Sequence, residues 1–100
     1  MIFIYVTCSD KKEAEKISGA LLKKKLVACT NYYPINSMYW WKGKIEKARE
    51  FALILKTADK NFEKIKKEIK KIHSYAVPCI IEIRLNRINK DYLDWLNSCL

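Results

Sequence analysis

Apolar residues recur along this chain in two periods, and the switches between them mark out its elements. Ile2 to Val6 (IFIYV) is apolar at every position, the pattern of a strand buried on both sides. Asp10, with Glu13 three residues on, has capping-box spacing, and behind it Ala14, Ile17, Leu21 and the flanking Leu22 recur at helical period. Lys23 to Lys25 close that helix where its dipole favours cations. Leu26 to Asn31 (LVACTN) returns to strand composition, and Pro34 with Ile35-Asn36 is expected to break or bend it. Asp59 is placed to cap a second helix, on which Phe62, Ile65, Ile69 and Ile72 fall at i, i+3, i+7 and i+10. His73 to Ala76 forms a loop, and Pro78 holds Val77 extended. Ile81, Ile83 and Leu85 then alternate with Glu82 and Arg84 as a half-exposed strand. A terminal helix capped by Asn89 carries Leu93 and Leu96 on one side with Trp95 beside them.

Between the two helices lies the stretch that organises the rest, Ser37 to Thr57. Met38, Tyr39, Trp40 and Trp41 precede Lys42-Gly43, and Phe51 to Leu55 follow it, with a polar middle from Glu46 to Glu50. Aromatic and β-branched residues suit a pleated surface, and glycine supplies the positive φ of a tight turn. A long hairpin is expected, with its tip beyond the core and its register open, since Lys-Gly is a weaker turn signal than Asn-Gly. The resulting order is that of an α+β, ferredoxin-like fold: βαββαβ plus a C-terminal helix, an antiparallel sheet with helices on one face. It occupies residues 1–100 as a single domain. Because the first strand and the end of the hairpin are apolar on both sides, the second face also needs cover, and another copy of the chain is the expected cover.

Composition narrows the function classes. Two glycines and two prolines in 100 residues leave little room for linkers. The formal charge of +9 comes largely from lysines at 23–25 and across 64–71, read as solvated helix faces rather than a nucleic-acid stripe. An RNA-recognition sheet needs aromatics in a glycine-containing strand, and REFALILK at 49–56 has no glycine. Met1 runs straight into IFIYV without a basic leader, and that run is too short for a membrane span. Cys8, Cys29, Cys79 and Cys99 show no CxxC spacing. A cytoplasmic protein with reduced thiols and no membrane contact is expected. Enzyme signatures are missing: there is no GxSxG, P-loop, HExxH or glycine-rich dinucleotide turn, and no organic cofactor is expected.

At VACTN (27–31), MYWWKGKIEKA (38–48), LILKT (53–57), HSYAVPCI (73–80) and NKDYLDWL (89–96) the chain resembles the CutA divalent-cation tolerance family over nearly its full length. The resemblance implies a ferredoxin-like subunit in a tight homotrimer, similar in architecture to PII signalling proteins. It also implies a role in divalent-cation tolerance, chiefly toward copper, by binding metal ions rather than by catalysis. The usual family pattern around the histidine is HPYEVPE, whereas this chain reads HSYAVPC. Ala76 and Cys79 therefore stand where carboxylates usually stand, which shifts ligand preference toward Cu(I) or Zn.

The expected metal ligands are accordingly Cys29, His73 and Cys79, for copper or zinc. His73 is the only histidine, and Cys79 lies six residues after it. The bland readings are a helix-end cation for His73 and packing for Cys29. Cys8 and Cys99 have no partner spacing and are read as structural. Tyr39, Trp40, Trp41 and Tyr75 are expected as subunit-interface anchors, with a small pocket between subunits as the other possibility. Two rival functions remain: a PII-like trimeric scaffold or sensor holding a small ligand in subunit clefts, and a basic nucleic-acid-binding module.

Overall fold

In β1, Ile2–Cys8, burial alternates strictly, so Ile2, Ile4, Val6 and Cys8 face one way while Phe3, Tyr5 and Thr7 face the other. The computed structural model describes residues 1–100. After β1 come α1 (Lys11–Lys23), β2 (Cys29–Trp41), β3 (Lys44–Thr57), α2 (Phe62–Ile72), β4 (Ile80–Arg84) and α3 (Lys90–Ser98). The strands form one antiparallel sheet in the order β2-β3-β1-β4. The architecture is α+β, and β2 and β4 are its edges.

The core lies on the Ile4 face. Leu53 and Leu55 of β3 sit beside β1 there, and Ala14, Ile17 and Leu21 of α1 with Ile65 and Ile69 of α2 close over them. The i, i+4 pair Ile65/Ile69 is buried, with Phe62 and Ile72 packed against its margin, as the helical period of that segment requires.

Local sequence explains most of the element ends. Asp10 accepts the Glu13 N–H at 2.8 Å, which is the expected cap, but Glu13 returns to the Ser9 N–H at 2.9 Å rather than to Asp10. α1 ends in a Schellman arrangement: Leu26 N–H reaches the Leu21 carbonyl and Lys25 N–H the Leu22 carbonyl, both at 3.0 Å. Lys25 therefore takes a left-handed φ of 55° at the position where glycine is usual. At the hairpin tip Lys42 and Gly43 have φ of 49° and 76°, a type I′ pattern, and Trp41 pairs with Lys44. That settles the register left open by the sequence.

Several expectations are corrected. Pro34 does not break β2, which runs unbroken for 13 residues. Because β2 is an edge strand, the missing proline N–H leaves no partner unsatisfied in the sheet. Asp59 does not cap α2; its carboxylate pairs with the Met1 amino group at 3.2 Å, while a 3-10 turn (Asp59–Asn61) leads into the helix. Asn89 does stand at the N-cap of α3, but without a side-chain cap bond. In β4 the alternation is the reverse of the sequence reading. Ile81 and Ile83 pair with Tyr5 and Phe3 on the far face, while Ile80 packs against the core.

The helices are not confined to one face. α1 and α2 cover the core face, whereas α3 meets the far one: Lys56 lies between the Phe3 and Tyr92 rings, 5.9 and 5.5 Å from their centroids, and its Nζ donates to the Tyr92 hydroxyl at 3.3 Å. Leu96 is buried outside the main core cluster. The chain thus supplies part of the cover that the sequence assigned wholly to a second copy.

Candidate functional site

The chemistry gathers where β1 ends, around Thr7. His73 caps the C-terminus of α2, its N–H still bonded to the Ile69 carbonyl at 2.8 Å, and its side chain is buried. Nε2 lies 2.8 Å from the Thr7 carbonyl oxygen, and Nδ1 accepts the Tyr75 N–H at 3.0 Å. A carbonyl has no proton to give, so Nε2 carries the hydrogen and the ring is the neutral tautomer. A charged ring would cost the Tyr75 bond, so the 3.9 Å approach of Nδ1 to Glu13 Oε1 is not an ion pair in this arrangement.

On the core side of Thr7 lie Cys8 and Glu13. The Cys8 sulfur, a Glu13 carboxylate oxygen and a His73 ring nitrogen all fall within 4.8 Å of one another. Burial pushes the Cys8 thiol up to about 12, with the carboxylates of Glu13, Glu50 and Asp10 adding to the effect. Burial also pushes Glu13 upward, but hydrogen bonds from Ser9 and Ser74 outweigh it and hold the carboxyl below its ordinary value. Ser74 N–H reaches Glu13 Oε2 at 2.8 Å, tying the α2–β4 loop to α1.

On the far side of Thr7 is a cavity of about 570 Å³ lined by Met38, Tyr39, Trp41, Glu50, Tyr75 and Cys79, among others. The Tyr75 hydroxyl donates to Glu50 Oε2 at 2.6 Å, and its pKa is raised by burial and by that carboxylate. Burial likewise raises the Cys79 thiol, Glu50 adds to this, and a hydrogen bond with Thr7 offsets part of it.

Of the expected ligands, His73 and Cys79 both reach Thr7. Cys29 does not come near within one chain. It pairs with Lys56, which pairs with Phe3, so it lies about 13 Å along the strands from Thr7 and two strands across. Tyr39, Trp41 and Tyr75 line the cavity, while Trp40 points away and is 72% exposed. Sequence reasoning missed Glu13, Cys8 and Glu50. The even-numbered alternation of β1 was the available signal for Cys8, since it continues Ile2, Ile4 and Val6 onto the core face.

This architecture and sequence have close counterparts. The profile of the family described as CutA1 divalent ion tolerance protein matches residues 2–99. The chain belongs to the CutA divalent-cation tolerance family. A divalent-cation tolerance protein CutA from Archaeoglobus fulgidus is 50% identical over 96 residues, covering 96% of this chain and 94% of that one. One from Pyrococcus horikoshii is 46% identical with the same coverage. Among solved structures, the periplasmic CutA of A. fulgidus superposes with a TM-score of 0.97 at 48% identity, over 99% of this chain and 98% of that one. The P. horikoshii CutA1 crystal structure gives 0.96 at 43% identity, over 99% and 97%. CutA members are named for tolerance of cations and not for a reaction. In the thiol–imidazole–carboxylate grouping of this member the Cys8 thiol is buried and its pKa is raised, which favours the protonated thiol. No helix is long and apolar enough to cross a membrane.

Proposed function

We propose that this chain is a cytoplasmic, homotrimeric protein of divalent-cation tolerance, ferredoxin-like in topology, that acts by binding copper or zinc rather than by catalysing a reaction. The observation that carries this reading is the convergence of an imidazole, thiols and a carboxylate on Thr7, a donor set suited to soft and borderline metals. His73, beside Cys8 and Glu13, and Cys79, on the cavity wall, are the proposed ligands, and Cys29 joins such a site only from a neighbouring subunit. The free state of all four cysteines fits a reducing compartment. Trimer formation is supported by the apolar surface left open: Met38, Tyr39, Trp40, Trp41 and Ile45 on the hairpin, with Ile81 and Ile83 on β4. Tyr39, Trp40, Trp41 and Tyr75 are the proposed interface anchors.

Equilibrium dialysis of the reduced protein against Zn²⁺ and against Cu⁺ tests the metal reading. About one ion held per chain is expected, and no retention of either ion would sink it. The Tyr75–Glu50 cavity supports a second reading, a small ligand held in clefts of a PII-like trimer. The lysine-rich helices favour at most weak attraction for nucleic acid, which is expected to vanish as salt approaches physiological strength.

A further inference from the structure

We infer that Cys8 Sγ, Glu13 Oε1 and His73 Nδ1 form a three-ligand Zn²⁺ site on the core side of Thr7, its fourth position left to water, distinct in its thiol from the Cys79 side. The inference deepens the metal reading above by naming a ligand set inside one subunit. Three observations carry it. The donors are of three different kinds and lie within 4.8 Å of one another, with Nδ1 already 3.9 Å from Oε1. Tetrahedral zinc places such donors roughly 3.4–3.6 Å apart, so the side chains need close by only about an ångström.

The surrounding groups are those that orient ligands. The His73 Nε2–H is held on the Thr7 carbonyl, which fixes the tautomer whose Nδ1 is free of hydrogen; its lone pair accepts the Tyr75 N–H, with Glu13 Oε1 3.9 Å away. Glu13 is steadied by backbone N–H groups from Ser9 and Ser74. The contacts that yield to an ion are the Ser9 hydroxyl, a free rotor at 3.1 Å from Oε1, and the Tyr75 N–H on Nδ1. Glu13, whose side chain is 9% exposed beside a His73 side chain at 0%, is the point of entry.

Charge decides the metal. A buried thiolate and carboxylate with a neutral imidazole sum to −2, which Zn²⁺ cancels and Cu⁺ does not, and a largely buried site favours the neutral sum. Ligation breaks the Cys8 S–H bond and releases that proton to solvent, one per ion. Glu13 is already ionised and His73 already neutral at Nδ1, so neither contributes another.

The test is a titration with Co²⁺ as a spectroscopic stand-in for zinc. It is run under a non-thiol reductant on wild type, Cys8→Ser, Glu13→Gln, Cys79→Ser and a Cys99→Ser control. Wild type and the control are expected to show a thiolate-to-cobalt charge-transfer band saturating at one ion per chain and erased by Zn²⁺. Cys8→Ser should lose the band, and Glu13→Gln should weaken binding at least tenfold. If Cys79→Ser loses the band while Cys8→Ser keeps it, metal binding stands and this site falls. If wild type shows no binding, both fall. In case Cys8→Ser does not fold, the wild-type chain supplies a second readout. At intermediate urea, Zn²⁺ should slow alkylation of Cys8 at least tenfold by mass spectrometry, and an unchanged rate overturns the site.

Discussion

The two faces of the sheet carry similar apolar content and have different fates. On one, Ile2, Ile4, Val6, Leu53 and Leu55 are sealed beneath α1 and α2. On the other, Phe3, Tyr5 and Ile54 are half-buried, Ile81 and Ile83 are exposed, and only α3 lies across part of the surface. The hairpin extends the second situation beyond the body of the fold, along a molecule 45 × 26 × 21 Å in extent. Aliphatic side chains fill the sealed face, while the open one is rich in aromatics with a polar handle or a large flat contact area. One face folds the chain, and the other is the surface proposed to meet further copies of it.

The comparison breaks most visibly in the sealed face. Ile4→Ala or Leu55→Ala should cost about 2–5 kcal/mol by urea unfolding, with a loss that does not depend on protein concentration. An open-face substitution should behave in the opposite way. Trp40 is so exposed within one chain that its removal leaves the subunit fold almost untouched. Trp40→Ala is nevertheless expected to cost about 2 kcal/mol or more of assembly if the indole is a buried anchor. The loss should appear as a lower melting temperature and a smaller mass at low micromolar concentration, both recovering as concentration rises. Equal melting and mass for mutant and wild type would show that the indole faces solvent in the assembly too.

Acid provides a finer probe of the sealed side. Glu13 has its carboxyl held below its ordinary value of 4.5. Its contribution to stability is therefore complete above that value and is lost as pH falls through the folded pKa. Glu13→Gln should flatten the acid limb of a stability–pH curve, with little change of slope near neutrality; identical limbs would remove this role. The smallest expected effect is at the end of α1. Lys25→Gly, at φ 55°, should stabilise by about 1 kcal/mol, read as a shift of the urea midpoint without a change in slope.

How much of this was legible follows from the kind of signal each part carries. α2 was readable because Phe62, Ile65, Ile69 and Ile72 repeat at a period nothing else explains. The hairpin was readable from its flanking aromatics and Gly43. Pro34 misled because its cost depends on whether the strand is an edge, a property of sheet order rather than of the residue. Ile81 and Ile83 misled because an uncovered face here holds the larger apolar residues, so alternation showed two faces without showing which was sealed. The proposed metal centre is a harder case. Cys8, Glu13 and His73 belong to β1, α1 and the end of α2, and only the packing of both helices on the Ile4 face brings them within 4.8 Å. Glu13 looked fully explained as a capping residue, and its second duty toward Ser74 has no sequence mark.

The central claim is that the open face and the hairpin are an assembly surface for further copies of this chain. Multi-angle light scattering across a size-exclusion peak, at micromolar concentration under reductant, tests it most directly. A mass three times the 11.8 kDa chain is expected; a mass of one chain would contradict it.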